Sequence, residues 1–150
     1  MQAVEQDNPF RNIGEDKMKA VGARIVKGIN MGALVTAADN SGAKIVKIFG
    51  VKGGKGKKGR QFSCGVGDLV RVSVRKGATE ILKQVFWAVV IRQRKEYLRA
   101  TGERIAFADN AVVLLKDEDG NPKGTQVKGP LAREASDRWP FVARIATLIV

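Results

Sequence analysis

The sequence predicts an all-β fold, a small barrel or sandwich with a short helical element near its end. Three observations carry that expectation. Short β-branched runs recur between turn residues from about Arg24 onward. One of them, 69–76, alternates cleanly, with Val70, Val72 and Val74 on one side and Arg71, Ser73 and Arg75 on the other. Another, 85–91 (VFWAVVI), is apolar on both faces, as a strand covered on both sides must be.

Taken in order, residues 1–20 contain Asn8, Pro9, Asn12 and Gly14 with no sustained apolar period, which suits an N-terminal extension. Residues 21–150 then form one domain, because 150 residues at 44% hydrophobic content supply a single ordinary core. Strands are expected at 33–38, 44–51, 69–76, 86–93, 103–107, 111–116 and 144–149. The turn-forming stretches 39–42 (DNSG) and 117–122 (DEDGNP) read as strand connections. After Gly129-Pro130 the β-branched residues thin out, and the spacing of Leu131, Ala132 and Ala135 predicts a helix over 131–138 before the terminal strand.

Charge points to the partner. The chain has 27 Lys and Arg against 15 Asp and Glu, a net +12, and the excess lies in residues 21–108, which hold 18 cations and 5 anions. A positive field of that strength favours a polyanion, since each phosphate neutralised releases a condensed counterion. At its centre, residues 52–60 (KGGKGKKGR) are all glycine or cation, and no acid stands between Asp39 and Asp68. Lys52, Lys55, Lys57, Lys58 and Arg60 are therefore expected to follow a phosphate backbone from a glycine-rich hairpin loop that can approach it closely. A second cluster, Arg92, Arg94, Lys95, Arg99 and Arg104, could add bidentate phosphate contacts. Glu96 and Glu103 offer the competing reading of a surface hairpin with cross-strand ion pairs, and Tyr97 either stacks on a base or caps the barrel.

Catalytic readings fare poorly. The sequence has no histidine, which removes the commonest general base and transition-metal ligand, and Cys64 is its only cysteine. Cys64 is expected to be a small packing residue. Gly54, Gly56 and Gly59 fit the dinucleotide pattern GxGxxG, yet 60–68 contains two further glycines and no helical period to receive a pyrophosphate. Arg60 and Gln61 stand where a Walker loop needs Lys and Ser or Thr. The cluster Asp117, Glu118 and Asp119 lacks the ligand spacing of a calcium loop, with Lys128 where the closing glutamate belongs, and reads as a solvated turn. No enzyme activity, cofactor or metal is expected. No apolar run approaches the roughly 20 residues that span a bilayer, and the acidic, polar first ten residues are unlike a signal peptide. The expectation is a soluble, cytosolic protein with no membrane partner.

Several motifs in order and spacing make a family visible. Residues 38–43 (ADNSGA), 88–92 (AVVIR), 102–114 (GERIAFADNAVVL), Gly124-Thr125, Gly129-Pro130 and Arg133-Glu134 together resemble the universal large-subunit ribosomal protein family L fourteen, from about residue 25 to the end. The N-terminal extension, VVIRQRK and the ending ARIATLIV resemble its archaeal-type members. Thr101 departs from the Asp, Asn or Ser usual before the glycine of the third motif, which puts only a turn type in question. The resemblance implies a five-stranded antiparallel β-barrel with a small C-terminal element of helix and strand. It further implies binding to large-subunit rRNA near the subunit interface, contact with neighbouring ribosomal proteins and with small-subunit rRNA, and a surface used by an anti-association factor. Carried onto this chain, the two basic clusters with Asn40 and Ser41 become candidate RNA contacts. Thr125, Gln126, Arg133, Arg138 and Trp139 become candidate protein contacts in the charge-balanced C-terminal third. The competing reading is a stand-alone OB-type single-strand-binding module, which needs stacking aromatics on its binding face.

Overall fold

The structure is a computed structural model that describes residues 20–54 and 56–150. The expected extension, Ala20 excepted, and Lys55 lie outside the described residues. Five strands close a barrel: β2 (Leu34–Ala37), β3 (Ala43–Val51), β5 (Leu69–Gly77), β6 (Val85–Arg92) and β9 (Ala111–Leu115), in the order β2-β3-β5-β6-β9. Four of the pairings are antiparallel, and β2 closes on β9 in parallel through Thr36 opposite Ala111 and Ala37 opposite Val112. Strict alternation of direction cannot close an odd ring, so one parallel pair follows from having five strands. Register shifts along β3 and β5, between Ala43 and Ile45 and between Ile48 and Gly50, bend that ribbon around the small barrel.

The alternation in β5 is realised. Val70, Val72 and Val74 are fully buried while Arg71 and Arg75 are exposed, and each buried valine contributes roughly 1.5–3 kcal/mol of hydrophobic stabilisation. They face the barrel interior with Val46, Ile48, Ala88, Val90, Val112 and Leu114. The doubly apolar run is realised too: Ala88 and Val90 of β6 point into the barrel, whereas Val89 and Ile91 enter a second core on its outside. Strand β9 is split the same way, with Ala111, Val113 and Leu115 in the outer core.

The outer core is capped by the C-terminal element, made of β10 (Val127–Leu131), α1 (Arg133–Arg138), α2 (Pro140–Arg144) and β11 (Ala146–Ile149). Strands β10 and β11 pair in parallel. The expected helix appears as α1, with Glu134 in its first turn and Arg138 in its last, the favourable sense for its dipole. A second helix was not foreseen. Pro140 drives Trp139 out of the helical region (φ −124, ψ 82) and then opens α2 at its first position, so the expected strand over 144–149 contracts to β11.

Four strands also go beyond the sequence reading: β10, and the two-residue β1 (Ile29–Asn30), β4 (Ser63–Cys64) and β7 (Tyr97–Leu98). Strand β1 pairs with β4, and β7 pairs with β8 (Arg104–Ile105), which is all that forms of the strand expected at 103–107. Cys64 is a packing residue as expected: it is fully buried in the barrel core, and burial together with nearby Asp68 pushes its thiol up to about 12.

Candidate nucleic-acid interface

The basic loop leaves the barrel at the end of β3 and returns through β4. Its stems are fixed by the backbone: Lys52 N–H donates to Leu69 O at 2.9 Å, and Met31 N–H donates to Phe62 O at 3.3 Å. Inside the loop, Phe62 lies against the first two of the three glycines of the GxGxxG pattern. A Cβ at Gly54 would stand 3.0 Å from Phe62 Cδ1, and one at Gly56 would stand 3.0 Å from Phe62 Cε1. These glycines therefore serve close packing on an aromatic ring. No helix follows them, which disposes of the dinucleotide reading.

The result is an open cleft of about 610 Å³ lined by Lys27, Lys57, Arg60 and Phe62 among others, with no acid among its described lining residues, although Lys27 Nζ stands 3.9 Å from Asp68 Oδ2. Lys57, Lys58 and Arg60 are exposed, and none has an acidic partner among the described residues. Lys52 differs. Its Nζ donates to Glu118 Oε2 at 2.7 Å, so the acidic turn at 117–120 neutralises the root of the loop and leaves the tip charged. That turn is closed on itself by Asp117, whose carboxylate accepts from Asp119 N–H (3.1 Å), Asn121 N–H (3.3 Å) and Asn121 Nδ2 (2.8 Å). The hydrogen bond from the Asn121 side chain, foremost, holds Asp117 below its ordinary range.

The second cluster divides. Arg94, Lys95 and Arg104 are exposed, and Arg104 Nη1 meets Glu96 Oε1 at 3.0 Å across the β7-β8 hairpin, the ion pair that the competing reading named. Arg92 is 6% exposed. Its Nε and Nη2 donate to the two carboxylate oxygens of Asp109 at 2.9 and 3.2 Å, and its Nη1 donates to Lys128 O (3.0 Å) and Pro130 O (2.9 Å). It ties β6 to β10. Arg99, 9% exposed, donates from Nε to Glu134 Oε1 at 2.7 Å and from Nη2 to Val150 O at 2.6 Å, while Tyr97 Oη donates to Glu134 Oε2 at 2.7 Å. Burial opposes ionisation of Glu134, but the hydrogen bonds from Tyr97 and Arg99 outweigh it and hold the carboxyl below its ordinary value. Tyr97 is 1% exposed and presents no ring face for a base to stack on.

Asn40 and Ser41 are also engaged within the protein. Asn40 Oδ1 accepts from Thr125 N–H at 2.7 Å and Gln126 N–H at 3.3 Å, and its Nδ2 donates to Thr125 Oγ1 at 2.7 Å. The 39–42 turn and the 124–126 loop, read separately in the sequence, are one structural unit. Ser41 Oγ donates to Asp39 Oδ1 (2.7 Å), and Asp39 Oδ2 accepts from Leu114 N–H (3.0 Å). Burial pushes the Asp39 carboxyl above its ordinary value against those hydrogen bonds. Of the candidate protein contacts, Thr125, Gln126 and Arg133 are exposed, Arg138 is part-buried with Nη1 3.5 Å from Asp68 Oδ1, and Trp139 is 2% exposed.

The family model described as "Ribosomal protein L14p/L23e" matches residues 28–150, which is the whole of the barrel and its cap. The chain belongs to that family. It is 53% identical over 133 residues to the large ribosomal subunit protein uL14 of Nanoarchaeum equitans, a match covering 89% of this chain and 100% of the relative. It is 48% identical over 132 residues to the uL14 proteins of Methanococcus vannielii and Methanococcus maripaludis, covering 88% of this chain and 99% of each relative. The resemblance read from the motifs is thereby established, including its archaeal type. The family is a structural constituent of the large ribosomal subunit and not an enzyme, and its place is on the cytoplasmic ribosome. Among the described residues no helix is long and apolar enough to cross a membrane.

Proposed function

We propose that this chain binds large-subunit rRNA chiefly through the tip of the 52–60 loop. The observation that carries the reading is the exposure of Lys57, Lys58 and Arg60, without acidic partners among the described residues, with Lys57 and Arg60 on a cleft that no described acid lines. A rigid barrel holds the loop's two stems while the tip neutralises phosphates where RNA segments converge. Phosphate contacts of this kind fix position, so specificity rests on RNA shape and on neighbouring proteins. Lys55 belongs to the same set by sequence, and Arg94, Lys95 and Arg104 form a lesser, partly neutralised patch. Arg92 and Arg99 act within the fold, holding the C-terminal element that such contacts surround.

The family resemblance supports the finer placement: near the subunit interface, beside neighbouring ribosomal proteins, with a contact to small-subunit rRNA and a surface for an anti-association factor. Thr125, Gln126 and Arg133 supply the exposed protein-facing surface, while Arg138 and Trp139 support it from beneath.

The test is the salt dependence of binding to a large-subunit rRNA transcript. With Lys57, Lys58 and Arg60 changed to alanine, the slope of log K against log salt becomes shallower by about 0.7–0.9 for each phosphate that is no longer neutralised. A slope equal to that of the unmodified chain rejects the loop as the site. Phe62→Ala gives a different expected result. It leaves every charge in place but frees the loop, and ordering it again costs roughly 1–2 kcal/mol per residue, so affinity falls at least several-fold with the slope unchanged. Filter-binding titrations at four salt concentrations separate the two.

A further inference from the structure

The outer face of the barrel carries charge that the loop reading leaves unused. None of the strands β2, β3, β5, β6 and β9 contains an aspartate or glutamate, whereas β3 and β5 supply Lys44, Lys47, Arg71, Arg75 and Lys76. Strand register gathers the outward groups into one surface: Leu34 lies opposite Lys47, Lys47 opposite Ser73, Ser73 opposite Val85, and Arg71 opposite Trp87. The Arg71 guanidinium lies over Trp87, its central carbon 4.7 Å from the centroid of the ring. Lys47 and Arg75 meet Leu34 and Gly32 around a shallow cleft of about 390 Å³. Among the described residues no acid pairs with Lys47, Arg71 or Arg75.

A sheet face that served only solubility would intersperse both signs and keep large apolar groups covered. This one has a single sign and exposes Leu34 at 63%, Phe49 at 43% and Val85 at 44%. Cations facing no counter-charge repel one another, and apolar groups among them waste burial; a partner that is both anionic and apolar in part relieves both. Protein interfaces are depleted in lysine at their centres and put their affinity into buried anchors. Arginine serves either kind of partner, but Lys47 stands in the middle of this face without an acid among the described residues and the apolar groups sit around it. RNA fits better: phosphates answer the cations, while ribose and unstacked base faces answer the apolar groups and the Arg71 guanidinium.

We propose that the outer face of β2, β3 and β5, with the Val85–Trp87 end of β6 that the C-terminal element leaves uncovered, is a second RNA-binding surface, centred on Lys47, Arg71 and Arg75. It extends the footprint of the loop across the barrel, since Arg71 lies opposite Gly50 near the loop-bearing end of β3 and Arg75 lies farther along the same ribbon. The proposal shares with the loop reading the premise that the partner is rRNA, but it does not need the loop to be a contact.

The experiment is a salt titration of the full chain against a large-subunit rRNA transcript with four proteins: unmodified, loop variant (K57A/K58A/R60A), face variant (K47A/R71A/R75A) and both combined. The expected result is a slope shallower by about 2–3 for the face variant, additive with the loop variant's own change. K47A/R75A, which leaves the Arg71 stack on Trp87 intact, lowers the slope by about 1.5 and guards against a folding defect, checked by its circular dichroism. A change in the loop variant alone overturns this proposal and leaves the loop reading standing. A change in the face variant alone supports this proposal and overturns the loop reading. A face variant with unmodified RNA slope that loses a neighbouring protein on reconstitution into large-subunit particles overturns it too, by making the face a protein contact.

Discussion

Replacing Arg99 with alanine lowers the stability of the fold by about 3–5 kcal/mol, because it strands Glu134, only 7% exposed, without its cation. The cost comes from the partner left behind. Glu134 retains the Tyr97 hydroxyl and its own backbone N–H but no cation, and Val150 O loses the guanidinium donor that holds the residue after β11. At about 2–4 °C per kcal/mol for a domain of this size, the melting temperature falls by roughly 6–20 °C. Arg99→Lys recovers part of this and no more, since an ammonium supplies charge without the planar fork that reaches Glu134 and Val150 together. The pH dependence identifies the cause. In the native fold Glu134 sits below its ordinary value of 4.5, so its stabilisation is full above that pH and is lost as pH falls through the lower folded value. In the variant, burial without a partner raises the carboxyl instead, so the variant loses stability as pH rises from the unfolded value through the raised folded one. The gap between the two proteins is therefore widest near neutrality and closes under acid. Urea midpoints from pH 3 to 7 measure it, and a constant gap would reject the assignment. An Arg99 that gripped phosphate would give the opposite result: unchanged stability and a shallower salt slope for RNA.

Such contrasts show where the sequence was legible. The barrel strands could be read because each carries a pattern with one physical meaning: alternation in 69–76 for a strand buried on one face, and an unbroken apolar run in 85–91 for one buried on both. The loop could be located because nine residues of glycine and cation have few structural uses. The fate of Arg92 and Arg99 could not be read. An arginine in a basic segment looks the same whether its partner is a phosphate or a carboxylate seventeen or thirty-five residues away, and both partners are tertiary. The partners of Asn40 could not be read for the same reason, since they lie across the fold at Thr125 and Gln126. Phe62 did leave a signal that went unused, an aromatic just past a glycine pair that its ring requires. The short strands β1, β4, β7 and β8 span two residues each, too few to show any period.

Trp139→Ala destabilises the protein by about 3–5 kcal/mol, and the ring's position explains why. The resemblance placed Trp139 among candidate protein contacts, as a large aromatic beside a helix on a balanced surface invites. The fold uses it inward. At the junction of α1 and α2 its ring enters the outer core, and its Nε1–H donates to Gly67 O at 2.8 Å, in the turn that leads into β5. The side chain thus fastens the C-terminal element to the barrel by apolar burial and by one directed bond. Trp139→Phe separates these contributions: it keeps most of the apolar area but leaves Gly67 O unpaired, at a cost of about 1–3 kcal/mol. From the other side of the ring, Gly120 has φ +101, and a Cβ there would stand 2.7 Å from Trp139 Cε3, so Gly120→Ala is destabilising through both backbone strain and displacement of the indole. Thermal denaturation ranks the three, with Trp139→Ala the most damaging. Because Arg133 sits on the cap and Thr125 and Gln126 directly precede it, loosening Trp139 also loosens the surface proposed to face neighbouring proteins, so a defect in particle assembly by Trp139→Ala must be read against its stability. A Trp139→Ala protein that melts with the unmodified chain, yet fails to bind a neighbour, would place the ring on the surface and restore it as a contact.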